Sequence, residues 1–199
     1  MAVGTQSNAR PRGAARRDAL LDAVLQVVAE EGVDAVTHRR VAEVARLPLA
    51  STTYWFDSKE HLLTAALERA AEHDIERLHA FLREAPERTA DPLELVVGAI
   101  LDPTAEPDQT TRGWLLATYA LWLEAARRPA LRDVATRWTD AYMEALPPLL
   151  ALAGSLNPRS DAELLLAAAD GLHVGQLALN DASDLADQLT RLAKALVKP

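Results

Sequence analysis

Hydroxyl and aromatic side chains occupy consecutive positions in the segment Leu-Ala-Ser-Thr-Thr-Tyr-Trp at residues 49–55. Short hydroxyls and a phenol can hydrogen-bond to phosphates and base edges, and a tyrosine ring can also contact a thymine methyl group. In a short helix we expect four of these side chains to be exposed: Ser51, Thr52, Thr53 and Tyr54. The segment predicts a nucleic-acid contact. A surface helix whose hydroxyls only cap and solvate is the open alternative.

Two short helices at a tight angle are predicted to position these side chains. Thr37 is a candidate N-cap, because its hydroxyl can accept a hydrogen bond from a free amide of the first turn. The first helix has an apolar stripe at helical spacing, which Val41, Val44 and Ala45 form. Pro48 interrupts this helix and suits the start of a second one over residues 49–55. A helix-turn-helix of this kind inserts its second helix into the DNA major groove.

Residues 16–67 resemble the DNA-binding domain of the tetracycline-repressor (TetR) family of bacterial transcriptional regulators. The resemblance rests on several motifs at combined spacing: the helix over residues 16–31 with Gly32 after it, Thr37-x-Arg39-x-Val41-Ala42, Ala45-x-Leu47, Ser51-Thr52-Thr53-Tyr54-Trp55-Phe56, and Ser58-Lys59-Glu60-x-Leu62-Leu63. Two positions depart from the family pattern. Arg46 stands where the family usually has glycine, in a turn that often needs positive φ, and Thr53 stands where it often has tyrosine.

The resemblance implies a role for each matching residue. One set would face bases: Arg39, Leu49, Ala50, Ser51, Thr53 and Tyr54. A second set would hold phosphates: Thr37, Trp55 and Lys59. Because Thr53 lacks the family's phenol, its phosphate contact can pass to Tyr54 or Trp55. The expected partner is a double-stranded DNA operator.

The composition fits a compact protein with a small head on a larger core. The chain has 199 residues, of which 49% are hydrophobic, and no cysteine. We expect no disulfide and no thiolate metal site, and no apolar run has the roughly 18 residues of a membrane span. These features predict a cytoplasmic protein without a cofactor or a membrane partner. Residues 1–60 contain eight Lys/Arg and eight Asp/Glu, so the net charge of −8 lies entirely in residues 61–199 and leaves the head free to approach phosphate.

The chain is predicted to be all-α, with nine helices in a TetR-like architecture. Residues 1–15 are predicted to be a disordered basic arm, with Arg10, Arg12, Arg16 and Arg17 either touching DNA or simply solvated. A helix-turn-helix DNA-binding domain follows over 16–57, and a ligand-binding and dimerisation domain over 58–199. The predicted helices after the head cover residues 58–84, 91–101, 109–128, 130–154, 160–179 and 183–197. Pro86 is expected to end the first of these, and Pro147 and Pro148 to kink the fourth.

Aromatic residues cluster on two consecutive predicted helices of the second domain. Trp114, Tyr119 and Trp122 lie on the first, and Trp138, Tyr142 and Met143 on the second. Aromatic walls with a few polar tips describe a small-molecule pocket as well as a packed core. The family resemblance implies the pocket, for a small organic inducer that is largely apolar or aromatic. Its expected ligand-binding residues are His79, Trp114, Tyr119, Trp122, Trp138, Tyr142, His173 and Gln176.

A ridge of small residues in the eighth helix predicts close approach of another helix. Ala167, Gly171 and Gly175 recur at a spacing of four, and an interior glycine costs a helix about 1 kcal/mol, which packing must offset. The last helix has a leucine stripe. Together they predict a homodimer through a four-helix bundle, with packing inside one chain as the alternative. The expected interface residues are Ala167, Gly171, Gly175, Leu185, Leu189 and Leu192.

Enzyme hypotheses fall short on sequence grounds. Glu76-x-x-His79 has the spacing of one half of a di-iron site, but Asp170-x-x-His173 is an incomplete second half. Neither a Gly-x-Ser-x-Gly elbow nor a His-Glu-x-x-His or Walker motif occurs. The sequence therefore predicts a ligand-responsive transcriptional regulator, most simply a repressor that an inducer releases from a palindromic operator. A helical small-molecule-binding or interaction protein without DNA regulation is the alternative.

Overall fold

The computed structural model describes residues 12–101, 109–179 and 184–197, and these ranges contain helices and no strand. Nine α-helices are described there, and a short 3-10 turn over Val33–Ala35 follows the first. Their bounds are α1 (Arg12–Glu31), α2 (His38–Ala45), α3 (Leu49–Trp55), α4 (Lys59–Arg88), α5 (Pro92–Ile100), α6 (Gln109–Glu124), α7 (Pro129–Leu152), α8 (Pro158–Leu179) and α9 (Leu185–Leu196). The predicted all-α, nine-helix fold is confirmed. None of the described helices is long and apolar enough to cross a membrane.

Several helix ends differ from the sequence prediction. The first helix begins at Arg12, so residues 12–15, predicted to be part of a disordered arm, are helical. The added turn brings Gly13 next to the Trp55 ring, and a Cβ at this position would lie 3.5 Å from that ring. This contact packs the added turn of α1 against α3. The rest of the predicted arm, including Arg10, lies outside the described residues.

The prediction that Pro86 ends the fourth helix is wrong, because α4 continues past it to Arg88. As predicted, α7 runs through Pro147 and Pro148. A proline removes one helical hydrogen bond, a loss that a long, packed helix can absorb. Pro158 instead starts α8, two residues before the predicted cap, because its fixed φ suits the first helical turn. The expected cap Ser183 lies outside the described residues, and Asp184 caps α9 by accepting from the Asp187 amide at 3.0 Å.

One continuous core joins the head to the rest of the molecule. The buried face of α1 includes Leu20, Val24 and Val27, and it packs on both α2 and α6. Phe56 and the first turns of α4 close the head beneath α3. Because α1 belongs to the head and packs on α6, and the first turns of α4 close the head while the helix packs on α7, both helices connect the DNA-facing end to the body.

The leucine stripe of α9 is directed into its own protomer. Leu189 is fully buried, and Leu192 packs against the same core, where α9 lies on α5 and α8. A side chain with no exposed surface cannot contact a partner, so the assignment of Leu189 to a dimer interface is corrected. Leu192 is only partly buried, so its assignment to an interface stays a prediction. Leu185, half-buried at the start of α9, keeps some exposed surface.

Candidate functional site

The second and third helices form the predicted pair of short helices in the head. Thr37 has an extended backbone and accepts a hydrogen bond from the Arg40 amide at 3.1 Å, which confirms the expected N-cap. Pro48 precedes α3, and α3 begins at Leu49 as predicted. Val41 and Ala42 are buried beneath the pair. The local sequence therefore fixes where each helix starts, and the apolar stripe of α2 fixes which face is inside.

The turn between these helices has a left-handed residue that is not glycine. Arg46 has φ 54° and ψ 39°. Its amide donates to the Glu43 carbonyl at 3.1 Å, and the Leu47 amide donates to the Ala42 carbonyl at 3.0 Å, which closes the end of α2. A side chain held in this region costs about 1–3 kcal/mol that glycine would avoid. The turn therefore adopts the backbone expected for glycine at this position, although the residue is arginine.

The outer face of α3 presents the predicted reading side chains. Leu49 is 50% exposed and Tyr54 76% exposed, while Ala50 and Thr53 are also exposed and Ser51 is half-buried. The prediction that Thr52 is exposed is wrong, because Thr52 is fully buried and its hydroxyl donates to the Leu49 carbonyl at 2.8 Å. Its inward position follows from the helical period, since Thr52 and Phe56, four residues apart, share the buried face.

Basic side chains surround α3, and most of them contact acceptors within the head. Arg39 Nε lies 3.0 Å from Glu43, and Arg40 lies 2.6 Å from Glu31. Lys59 Nζ donates to the Asp34 carbonyl at 3.0 Å. These groups are at least one-third exposed, and exposed ion pairs contribute about 1 kcal/mol or less, so a phosphate can displace the carboxylate at little cost.

Trp55, the other residue expected to contact a phosphate, is half-buried between α3 and the start of α1. Its ring lies against Gly13 of α1 and meets the Tyr54 ring edge-on, with centroids 4.9 Å apart. Arg17 lies over the neighbouring Phe56 ring at 5.9 Å. The first turns of α1 are thereby fastened to the end of α3, which brings the basic start of α1 close to the reading helix.

In the body, a mostly buried carboxylate accepts hydrogen bonds from two of the predicted pocket residues. Asp74 on α4 accepts from the Trp138 indole at 2.8 Å and from the Tyr142 hydroxyl at 2.5 Å. Arg77 donates to the same carboxylate at 2.9 Å and to the Tyr142 oxygen at 2.7 Å. Burial, and then the adjacent Asp74 charge, raise the pKa of Tyr142 well above its ordinary value. Trp138 and Tyr142 therefore belong to a packed polar network between α4 and α7.

A second polar cluster lies between α6 and α8. The Tyr119 hydroxyl donates to Asp170 at 3.1 Å, and its ring lies 6.2 Å from that of His173. Burial is the main cause that raises the pKa of Asp170 and lowers that of His173, because each charged form loses solvent. Burial also raises the pKa of Tyr119. Both Asp170 and His173 are thus shifted towards their neutral forms.

The other residues predicted to bind a ligand are spread around these two clusters. Trp122 meets Trp138 edge-on at 5.6 Å, and Trp114 lies 6.0 Å from His73 of α4. His79 is exposed and lines an open groove of about 520 Å³ along α4, and Gln176 is half-buried. A second open groove of about 470 Å³ runs past Trp122 between α6 and α7. The structure thus brings Tyr119 together with His173 and Trp122 with Trp138, whereas His79 lies apart.

Sequence reasoning missed Asp74 and Arg77, which organise the first cluster. Their signal was present: a charged pair at i,i+3 within a helix whose neighbours Ala70, Ala71 and Leu78 are apolar. Among the described residues, no group of three His, Cys, Asp or Glu side chains could hold a metal ion. The two polar clusters and the tryptophans beside them can donate hydrogen bonds to a small molecule and present aromatic faces to it.

The small-residue ridge of α8 faces outward. Ala167 and Gly171 are exposed, and a Cβ added at Gly171 or Gly175 would meet nothing within 4 Å. Leu164, Val174 and Leu179 on the same helix are also exposed, at 53%, 46% and 79%. The described part of this protomer therefore offers no reason for the two glycines, and the helix presents a smooth apolar surface.

Comparison with known proteins agrees with this geometry. Residues 90–199 match the family described as "Tetracyclin repressor-like, C-terminal domain". The HTH-type transcriptional regulator BetI of Rhizobium meliloti (strain 1021) is 31% identical over 166 residues, which cover 81% of this chain and 77% of BetI. A TetR-family structure from Streptomyces coelicolor A3 shares 31% identity with a TM-score of 0.71, covering 95% of this chain and 100% of that one.

A further similar structure carries a bound small molecule. The multidrug binding protein EbrR complexed with ethidium is 31% identical, with a TM-score of 0.68, covering 92% of this chain and 99% of EbrR. A helix-turn-helix head on an all-helical body is the architecture that these proteins share with this chain. The chain belongs to the TetR family. It is a transcriptional regulator of that family, and the family comprises regulators rather than enzymes.

Proposed function

We propose that this protein is a repressor that binds a near-palindromic DNA operator and is released by a small organic inducer. The exposed face of α3 carries the proposal. Leu49, Thr53 and Tyr54 are displayed on a helix whose inward side chains, Thr52 and Phe56, are fully buried. A short helix anchored from below, with polar and flat side chains outside, has the shape and chemistry of a major-groove reader.

Residue roles in DNA binding follow from exposure and chemistry. We assign base contacts to Arg39, Leu49, Ala50, Ser51, Thr53 and Tyr54. We assign phosphate contacts to Thr37, Trp55 and Lys59. The ammonium of Lys59 is one-third exposed, so it can exchange the Asp34 carbonyl for a phosphate. We place the DNA-binding domain at residues 16–57 and the ligand-binding and dimerisation domain at residues 58–199, in a cytoplasmic protein.

The proposed inducer site lies where α4, α6, α7 and α8 meet. Tyr119 and His173 offer hydrogen bonds, and Trp114 and Trp122 offer aromatic faces. Trp138 and Tyr142 form the inner wall, which Asp74 holds, while His79 and Gln176 lie towards the rim. A largely apolar or aromatic ligand suits this lining, because burying several unpaired charges would cost several kcal/mol. The ethidium complex of the similar EbrR supports this chemical class.

The proposed dimer uses the outward ridge of α8. Ala167, Gly171 and Gly175 allow the backbones of two α8 helices to approach closely, and Leu185 of α9 lies at the edge. Such an interface pairs two heads about a two-fold axis, so the operator would contain half-sites about 34–36 Å apart or at a related spacing. Gly175→Leu should separate the helices. Sedimentation that still shows a dimer, together with normal DNA binding, would place the interface elsewhere.

A gel shift with DNA from upstream of the protein's own gene tests the central proposal. Wild type should bind it, Tyr54→Ala should bind with altered sequence preference, and Lys59→Ala should bind all sequences more weakly with a salt slope smaller by about one. Lys194→Ala, at the far end of α9, is the matched control and should bind like wild type. Equal affinity and slope for every variant would refute the assignment.

Ligand binding is measured on the protein without DNA, because ethidium also intercalates. Ethidium should change the tryptophan fluorescence of wild type and bind more weakly to Tyr119→Phe and His173→Gln. A protein that binds ligand but no DNA would favour the second candidate, a helical small-molecule-binding protein. The 31% identity to EbrR is the observation that favours that candidate.

A further inference from the structure

Arg46 combines a strained backbone with a side chain that the fold does not use. Among the described residues it is the one non-glycine position with positive φ, at 54°, while Gly32 and Gly154 account for the others. Its side chain is exposed and makes neither an ion pair nor a hydrogen bond within the described part of the chain. Strain that the folded protein retains without an internal contact indicates a use for the side chain outside the fold.

The neighbouring cations of the head are in a different state. Arg39 is paired with Glu43, Arg40 with Glu31, and Lys59 with the Asp34 carbonyl. Part of the hydrogen-bonding capacity of each of these cations is already used inside the fold. Arg46 has no internal partner among the described residues, so its whole guanidinium is available to an anion beside α3.

The position of Arg46 places this cation at the edge of the reading face. It is the C-cap of α2 and precedes Leu49, the first residue of α3, by three positions. Two backbone hydrogen bonds, from the amides of Arg46 and Leu47 to the carbonyls of Glu43 and Ala42, hold the turn in place. The side chain therefore leaves a fixed backbone next to exposed Leu49 and Ala50.

We propose that Arg46 binds a DNA phosphate that flanks the bases read by α3. This inference rests on the proposed DNA-binding function. A guanidinium presents a planar fork that can donate two parallel hydrogen bonds to one phosphate, which fixes register as well as adding affinity. Because phosphates are the same at every base pair, the contact strengthens binding to all sequences and does not select among them.

The test compares the full-length protein with Arg46→Gly, Arg46→Asn and Arg46→Lys. Glycine removes the strain and the charge, asparagine tolerates the left-handed backbone without a charge, and lysine keeps the charge at the same backbone cost. Arg159→Gln, an exposed arginine at the start of α8, is the matched charge control. Two probes are used: a labelled 30-base-pair duplex of mixed sequence and a duplex of the same length from upstream of the gene.

Arg46→Gly should unfold at a temperature about 2 °C or more above wild type, since its turn is relaxed. It should nevertheless bind both duplexes about 3- to 10-fold more weakly, and the slope of log affinity against log salt should fall by about 0.9 per bound chain. Arg46→Asn should lose affinity equally, whereas Arg46→Lys should retain the wild-type slope and Arg159→Gln should behave as wild type.

Each contrary result has one meaning. If wild type binds while Arg46→Gly and Arg46→Asn match its affinity and slope, the phosphate contact is refuted and the proposed function stands. If Arg46→Lys loses as much slope as Arg46→Gly, the charge is not what binds, and the inference fails. If wild type binds neither duplex, the proposed function fails first and takes this inference with it.

Discussion

Two pairs of tryptophan and tyrosine, one on α3 and one on α7, differ in their exposure and in their hydrogen bonding. Tyr54 and Trp55 lie on α3, where Tyr54 is 76% exposed and its hydroxyl has no described hydrogen-bond partner. Trp138 and Tyr142 lie on α7, at most 8% exposed, and both polar tips donate to Asp74. The residue types are the same, so the difference comes from what faces them.

The α4 helix packs on α7 and places the mostly buried Asp74 carboxylate next to the Trp138 and Tyr142 rings. The neighbours of α3 include α2 and the start of α1, and the start of α1 covers Trp55 with a glycine. A buried polar group must find a hydrogen-bond partner, whereas an exposed one is left available for an outside molecule. The comparison indicates that Tyr54, which is exposed and has no internal hydrogen-bond partner among the described residues, is available for an outside molecule, whereas Trp138 and Tyr142 also hold α4 against α7.

The largest expected effect comes from removing the carboxylate of the buried pair. Asp74→Ala leaves the mostly buried Arg77 without its carboxylate and removes an acceptor from both Trp138 and Tyr142, so the free energy of unfolding should fall by about 2–4 kcal/mol. Urea unfolding followed by tryptophan fluorescence measures it. Asp140→Ala, an exposed carboxylate on α7, should change stability by no more than about 0.5 kcal/mol. Equal stability of the two variants would show that the hydrogen bonds of Trp138 and Tyr142 to Asp74 do not stabilise the fold.

A smaller loss is expected where α4 crosses α5. A Cβ added at Gly98 would lie 2.4 Å from the Phe81 ring, so Gly98→Ala must displace that ring. Overpacking of this kind should lower the free energy of unfolding by about 1–3 kcal/mol. Gly113→Ala, inside α6, would meet only the Ala29 side chain at an ordinary 3.9 Å and should instead stabilise the protein by up to about 1 kcal/mol through helix propensity. If both substitutions shift thermal unfolding alike, Phe81 does not fix this crossing.

The cluster between α6 and α8 should make stability depend on pH. Burial lowers the pKa of His173 in the folded state, so its contribution is intact above its ordinary pKa and is lost as pH falls through the lowered pKa. Burial raises the pKa of Asp170, so folding gains stability as pH falls towards the ordinary carboxyl range. Thermal unfolding of His173→Gln between pH 7.5 and 5, an interval of about 2.5 units around the histidine range, should be flatter than wild type.

The matched control for this pH dependence is His79→Gln, which alters an exposed histidine on α4. Its thermal midpoint should follow the wild-type curve over the same interval. A His173→Gln curve that coincides with wild type would show that His173 does not titrate with folding. The cluster would then contribute shape to the inducer site but no pH sensitivity.

The smallest effect on stability belongs to the exposed aromatic of α3. Tyr54→Ala should change the free energy of unfolding by less than about 0.5 kcal/mol, because its ring is not part of the core. Its DNA binding should nonetheless weaken by about 1–3 kcal/mol at preferred sites. Selection of duplexes from a random library should recover a different consensus. A large loss of stability instead would mean that Tyr54 supports the fold.

The sequence by itself determined the head of this protein. Thr37, Pro48 and Gly32 act on the backbone within a few residues, so the starts of α2 and α3 and the end of α1 could be predicted from local chemistry. The helical period also set the buried stripe of α2. The same period places Thr52 beneath α3, although its hydroxyl had suggested exposure. The departure at Arg46 was visible as well, because a left-handed turn at that position was expected.

Only the tertiary structure decided how the body uses its polar and aromatic residues. Asp74 and Tyr142 are 68 positions apart in the chain, and no local rule brings them together. From the sequence, Leu189 of α9 could have faced a partner chain or its own core, and the packing of α5 and α8 buries it in the core. Local signals act over one or two helical turns. The choice between a pocket, a core and an interface depends on which distant helix supplies the opposite wall.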